Sequence, residues 1–123
     1  MTSFFISEDQ AVETTPDGDA VLLAGGEIDY EASPQLRQRI FEHITPSISR
    51  VVLDLSLATF IDSTAIGVLV GASSRLHEVS GGSLAVICTD ENVLRIFEIA
   101  GIDTMLTLYG SRDEAFAAHT NAG

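Results

Sequence analysis

The chain of 123 residues contains no lysine, and its six basic residues are all arginines, at positions 37, 39, 50, 75, 95 and 112. That absence excludes several functions before any motif is sought. A Walker-type phosphate loop needs a lysine beside the phosphates, Schiff-base chemistry needs a lysine amine, and a protein kinase needs both a lysine and a longer chain. Positive charge is scarce as a whole: 18 acidic residues leave a formal net charge of -12. Nucleic acid and anionic membrane surfaces are recognised by clustered basic residues, so neither is an expected partner. The single cysteine, Cys88, rules out an internal disulfide and points to a reducing or indifferent compartment. It stands in the apolar run Leu84–Cys88 and reads as a buried structural thiol. Three scattered histidines (43, 77 and 119) and one cysteine do not make the cluster that a metal site requires. No metal and no cofactor are expected. No segment approaches the 18 uninterrupted apolar residues of a membrane span, and residues 1–10 lack the pattern of a leader, so a cytoplasmic location is expected.

What the chain does have is enough apolar residue, 46%, for one domain of this length to bury roughly two-thirds of its unfolded surface. A single domain over 1–123 is expected, with an ordered core from about 4 to 118. Phe4–Ile6 and Ala20–Ile28 are strand candidates, and the Pro16-Asp17-Gly18-Asp19 turn lies between them. Ser33-Pro34 is a helix start, a capping hydroxyl followed by proline at the first helical position, and Pro46 marks that helix's end. Val51–Leu55, an apolar run without alternation, suits a strand covered on both faces. A long helix over about Ser63–Val79 stops at Gly81-Gly82. Leu84–Cys88 is a further strand. Asp90 caps a helix over about Glu91–Ala100, closed by Gly101. Met105–Tyr109 reads as a last strand, and Ser111 with Glu114 forms a capping box for a helix through Ala118. The order β-β-α-β-α-β-α-β-α predicts an α/β fold, with a mixed sheet and helical crossovers.

The long helix carries the most information. At about 100° per residue, Ala65, Val68, Leu69, Ala72, Leu76 and Val79 form a core stripe. Ser63, Ile66, Gly67, Val70 and Ser74 gather on the other side, where a solvated face would be charged. Small and apolar residues there suit either a docking surface for another protein or contact with a neighbouring element of the same domain. Asp62 and Ser63 stand where a strand hands over to this helix. Either side chain can cap it. A serine at that position also suits phosphorylation, because first-turn amides tolerate a dianion, and a phosphate beside Asp62 would oppose docking.

Asp62-Ser63-Thr64-Ala65-Ile66-Gly67 after the strand Val51–Leu55 resembles the signature of the STAS domain, and in particular that of the bacterial anti-sigma factor antagonists. Gly26-Glu27-Ile28-Asp29 by the second strand, Leu36 in the first helix and the Phe97–Gly101 segment fit in order. The resemblance implies a non-enzymatic partner switch. Such an antagonist binds an anti-sigma factor that is also a serine kinase, and so frees a sigma factor. The kinase, which holds the ATP, phosphorylates the serine after the aspartate, here Ser63, and a phosphatase reverses the modification. By the same resemblance Asp29, Asp62, Thr64, Ile66, Gly67, Val70 and Ser74 belong to the partner-binding surface, and Thr64 is a conceivable second acceptor. The family usually has glycine where this chain has Ala65; alanine favours a helix, so little damage is expected. A STAS scaffold in a stress-signalling assembly, or a STAS subunit of a lipid-transport complex, would share the fold without the serine switch. Two readings outside the family fare worse. Asp54 and Asp62 flanking a strand end invite aspartyl phosphorylation, but that chemistry uses a lysine. A serine hydrolase would need a base near Ser63 and the glycines of a nucleophile elbow.

Overall fold

The computed structural model describes residues 4–8, 18–101 and 106–122. Strands β1 (Phe4–Glu8) and β2 (Asp19–Ile28) are followed by helix α1 (Ser33–Glu42), strand β3 (Arg50–Ile61) and helix α2 (Ser63–Ser80). Strand β4 (Ser83–Ile87), helix α3 (Glu91–Ala100), strand β5 (Thr107–Tyr109) and helix α4 (Arg112–Ala122) complete the order, which is the one the sequence predicts. The five strands lie in the sheet as β1-β2-β3-β4-β5. β1 is antiparallel to β2 and every other pair is parallel. Because the parallel strands are added in one direction, right-handed crossovers place α1, α2 and α3 on the same face. The main core lies beneath them: Leu22, Leu53 and Val86 from the strands meet Leu36, Ile40, Leu69, Leu76, Val93 and Phe97 from the helices.

α4 covers part of the other face, where Ala115 and Phe116 meet Val21, Val52, Ala85 and Ile87. This second core is small, and arginines reinforce it. The Arg50 guanidinium, 4% exposed, pairs with Asp19 at 2.8 Å and donates a second bond of 2.8 Å to the Ala115 carbonyl. Arg112 donates to Asp54 at 2.7 Å. Asp54 also accepts from the Ser56 amide at 2.9 Å. Burial by itself would raise the Asp54 pKa, but the bonds from Arg112 and Ser56 outweigh it and hold the carboxyl below its ordinary value. Asp54 is therefore an anchor for α4. Burial pushes the Cys88 thiol up to about 11, in keeping with a structural role.

Four local expectations are revised. Ser33 lies inside the first turn of α1, with Ala32 at the cap position. Its hydroxyl donates to the Asp29 carbonyl at 2.9 Å, while the Asp29 carboxylate receives the Glu31 and Ala32 amides at 3.0 and 3.1 Å. β3 runs six residues beyond Leu55, to Ile61. Two register shifts against β2 hide that extension from any search for alternation. In the last capping box the Glu114 carboxylate bonds the Gly110 amide rather than that of Ser111, although Ser111 does receive the Glu114 amide at 3.1 Å. Finally, α4 extends past Ala118 to Ala122. Pro16, Asp17 and Met105 lie outside the described residues, as does the side chain of His119.

Candidate functional site

The strand-to-helix junction after β3 is built by one carboxylate. Asp62 holds an extended conformation, φ -112° and ψ 177°, and its Oδ1 accepts the Ala65 amide at 2.9 Å. This is N-capping in its usual geometry. Asp62 also donates its own amide to the Ile28 carbonyl at 3.2 Å. With Ile28 opposite Ile61 in the sheet, that bond sets Asp29 at the end of β2 beside Asp62 at the end of β3. The two loops form one acidic edge. Tyr30 is 65% exposed on it, with its hydroxyl donating to Glu31 at 3.3 Å.

Ser63 is the first residue of α2 and is exposed. Since Asp62 fills the cap, the Ser63 hydroxyl has no structural bond to give up among the described residues. Of the two side chains that could cap this helix, Asp62 is the one that does. Thr64 is also exposed and lines the groove between α1 and α2. Ala65 is fully buried in the first turn, where its methyl group adds to the core and no unusual backbone angle is required.

The outer side of α2 differs from the expected one at Ile66, which is 5% exposed and packed in the main core. Residues on both flanks of the buried stripe still reach covered positions. Ile66 on one flank and Val68 on the other are both packed against the core, and Val70 is half-buried. Gly67, Gly71 and Ser74 remain on the exposed side. A methyl group built at Gly67 or Gly71 would meet nothing within 4 Å. Neither glycine is needed for packing within the domain, and each costs about 1 kcal/mol of helix stability relative to alanine. Together they leave a stretch of helix backbone open to close approach. Beside it runs a groove of about 470 Å³, whose walls include Arg37, Phe41, Thr64, Val68 and Arg75. The Arg37 guanidinium stacks 4.2 Å from the centre of the Phe41 ring. Tyr30 and this groove were not singled out by the sequence reading. Tyr30 adjoins the family-like Asp29, which was a usable signal; the groove depends on helix packing and gave none.

Among the described residues, no group of three His, Cys, Asp or Glu side chains could hold a metal ion. No helix among them is long and apolar enough to cross a membrane.

A five-stranded mixed sheet with three crossover helices on one face and an aspartate-capped α2 after its longest strand defines a class, and comparison with known proteins agrees with it. Residues 10–115 match the STAS domain model, and the chain belongs to that family. It is 26% identical over 99 residues to the anti-sigma F factor antagonist of Paenibacillus polymyxa, covering 80% of this chain and 84% of that one. The crystal structure of an anti-sigma factor antagonist from Mycobacterium paratuberculosis superimposes with a TM-score of 0.79 at 24% identity, over 96% of this chain and 95% of that one. The anti-sigma factor antagonist SpoIIAA in its unphosphorylated form gives 0.76 at 19% identity, over 95% and 97%. SpoIIAA of Bacillus in its phosphorylated form gives 0.67 at 18% identity, over 93% and 98%. At these identities the structural matches speak for the fold.

Proposed function

We propose that this chain is an anti-sigma factor antagonist whose binding is switched by phosphorylation of Ser63. The observation that carries the reading is the division of labour at the head of α2: Asp62 caps the helix, and Ser63 is exposed beside it. Modification of Ser63 therefore costs no cap. The names of the relatives support the same reading. In it, the unmodified chain binds an anti-sigma factor in the cytoplasm through the acidic edge and the glycine-bearing side of α2, and the sigma factor is released. Asp29, Asp62, Thr64, Gly67, Val70 and Ser74 form that surface, with Tyr30 added. Ile66 supports it from below.

The anti-sigma factor acts as the kinase and holds the ATP. The Ser63 oxygen forms a bond to the γ-phosphorus, the bond to ADP breaks, and the hydroxyl proton passes to a base on the kinase. The product adds a charge of about -1.5 to -2. The α2 amides favour that charge, but Asp29 and Asp62 on the same edge and the apolar contact expected at Val70 do not. Binding to the partner is then lost while the fold is kept. A phosphatase hydrolyses the ester and restores the active form. The chain itself is a regulator and not an enzyme.

The test is incubation with ATP and each candidate anti-sigma kinase of the same genome. Mass spectrometry should place one phosphate on Ser63, and Ser63→Ala should remove it. If a kinase binds the chain and no phosphate is added, the switch is wrong and a STAS scaffold remains. Phosphate that persists in Ser63→Ala and disappears in Thr64→Ala would move the switch to Thr64.

A further inference from the structure

Among the described residues, the face of the sheet opposite α1–α3 is only half covered. α4 lies over Val21, Val52, Ala85 and Ile87, which leaves the far half of β2 and β3 and the start of β1 bare of any helix among the described residues. Three large apolar side chains stand there: Phe5 is 42% exposed, Leu57 56% and Phe60 44%. All three belong to this face. Their neighbours Ile6, Ala58 and Ile61 point into the main core, and side chains alternate along a strand.

The placement of Leu57 results from a bulge. From Leu55, a core residue, unbroken alternation would turn Leu57 inward. The register shift between Leu23 and Gly25 reverses the parity, so Leu57 faces out and the small Ala58 takes the core position. Bulges re-aim side chains in this way. Phe5 also depends on a special residue. A methyl group at Gly25 would lie 2.6 Å from the Phe5 ring and 2.9 Å from Leu57 Cβ. Only glycine lets that ring lie against the sheet at this position.

Charge and area indicate what covers the patch. Glu27 is opposite Phe60 in the sheet and exposed, and no arginine lies on this half of the face: Arg50 and Arg112 are engaged under α4. A second copy of the chain would bring another charge of -12. From the fractional exposures, the patch offers roughly 250 Å², far short of the ~800 Å² per partner of a standard stable interface. Phe5, Gly25 and Leu57 form one row across β1, β2 and β3, with Glu27 and Phe60 in the next row on this face, so a single extended segment laid across the strands from the open β1 side reaches all of them.

We propose that the Phe5–Leu57–Phe60 patch is a second docking surface, independent of α2, which receives an extended segment of a partner protein that alternates apolar and basic side chains. The apolar groups sit on Phe5 and Leu57, and a basic group pairs with Glu27.

The test uses the full chain labelled with nitrogen-15 and two short synthetic peptides, one alternating valine with arginine and one alternating valine with glutamate. The arginine peptide should shift the amides of Phe5, Gly25, Leu57 and Phe60 saturably, and the glutamate peptide should not. Leu57→Glu makes the chain more acidic, so unspecific charge attraction would tighten binding; the patch predicts at least about a tenfold loss. Leu57→Ser, which adds no charge, should lose binding in the same direction, and unchanged amide spectra elsewhere show that both variants fold. Absence of shifts at the patch, or shifts that survive both substitutions, overturns the proposal. Shifts at these residues that depend on protein concentration without peptide would give the surface to a second copy instead.

Discussion

The two faces of the sheet are held by different physics. Beneath α1, α2 and α3 the contact is a continuous apolar layer, with Leu53, Leu69, Leu76 and Phe97 all fully buried. On the other face α4 contributes Ala115 and Phe116 to a small apolar cluster and is held as much by Arg50 and Arg112. The sealed face anchors α2 through Ala65, Leu69, Ala72 and Leu76, all fully buried. The other face uses directional bonds at two points, and Phe5, Leu57 and Phe60 beyond them are exposed. One face is thus closed by apolar burial alone, and the other by a small apolar cluster pinned with ion pairs.

The contrast is tested most strongly at Arg50. Arg50→Ala leaves Asp19 buried without its cation and removes the bond to the Ala115 carbonyl. A loss of about 3–5 kcal/mol is expected in urea denaturation, comparable with the about 2–5 kcal/mol expected for Leu69→Ala on the apolar face. An Arg50 loss below about 1 kcal/mol would mean that the α4 face does not rely on its ion pairs.

Acid should act on the α4 face first. The Asp54 pKa is lowered in the folded protein, so its contribution is complete above the unfolded carboxyl value of about 4 and is lost as the pH falls through the folded value. Thermal stability attributable to this pair should be level from neutral pH down to about pH 5 and decline below about pH 4. Asp54→Asn should cost about 1 kcal/mol at neutral pH and make that decline shallower. An unchanged acid profile in the variant would remove Asp54 from the account.

The smallest expected effect has opposite signs on stability and on binding. Gly67→Ala should stabilise the fold by about 0.5–1 kcal/mol, since the methyl group enters open space on a helix, while weakening the anti-sigma partner's hold. Loss of stability would show that Gly67 is part of the domain's own packing.

The legibility of the sequence follows the same division. Leu36 and Ile40 in α1, and Ala65, Leu69, Ala72 and Leu76 in α2, repeat with the helical period, so the sealed face and the element order could be read directly. The cap Asp90 and the stops Gly81 and Gly101 are local signals and could be read too. Arg50 reaches Asp19 across 31 residues and Ala115 across 65, and such pairing leaves no mark in a local pattern. The bulge that turns Leu57 outward was equally hidden, because it depends on the register with β2. Periodicity left Ile66 between a docking face and contact within the domain, because its angle around α2 is ambiguous until the neighbouring strands are known; it is buried. At the site itself, Ser63 and Asp62 were both visible; which of them caps the helix was not.

Phosphorylation of Ser63 is proposed to switch binding and not folding. The most direct measurement is titration of one candidate anti-sigma factor with the unmodified chain and with the Ser63-phosphorylated chain, with thermal unfolding of both forms recorded alongside. Phosphorylation should lower the affinity by about a hundredfold or more and leave the unfolding temperature nearly unchanged. Equal affinities for the two forms, or a phosphorylated chain that has unfolded, would contradict it.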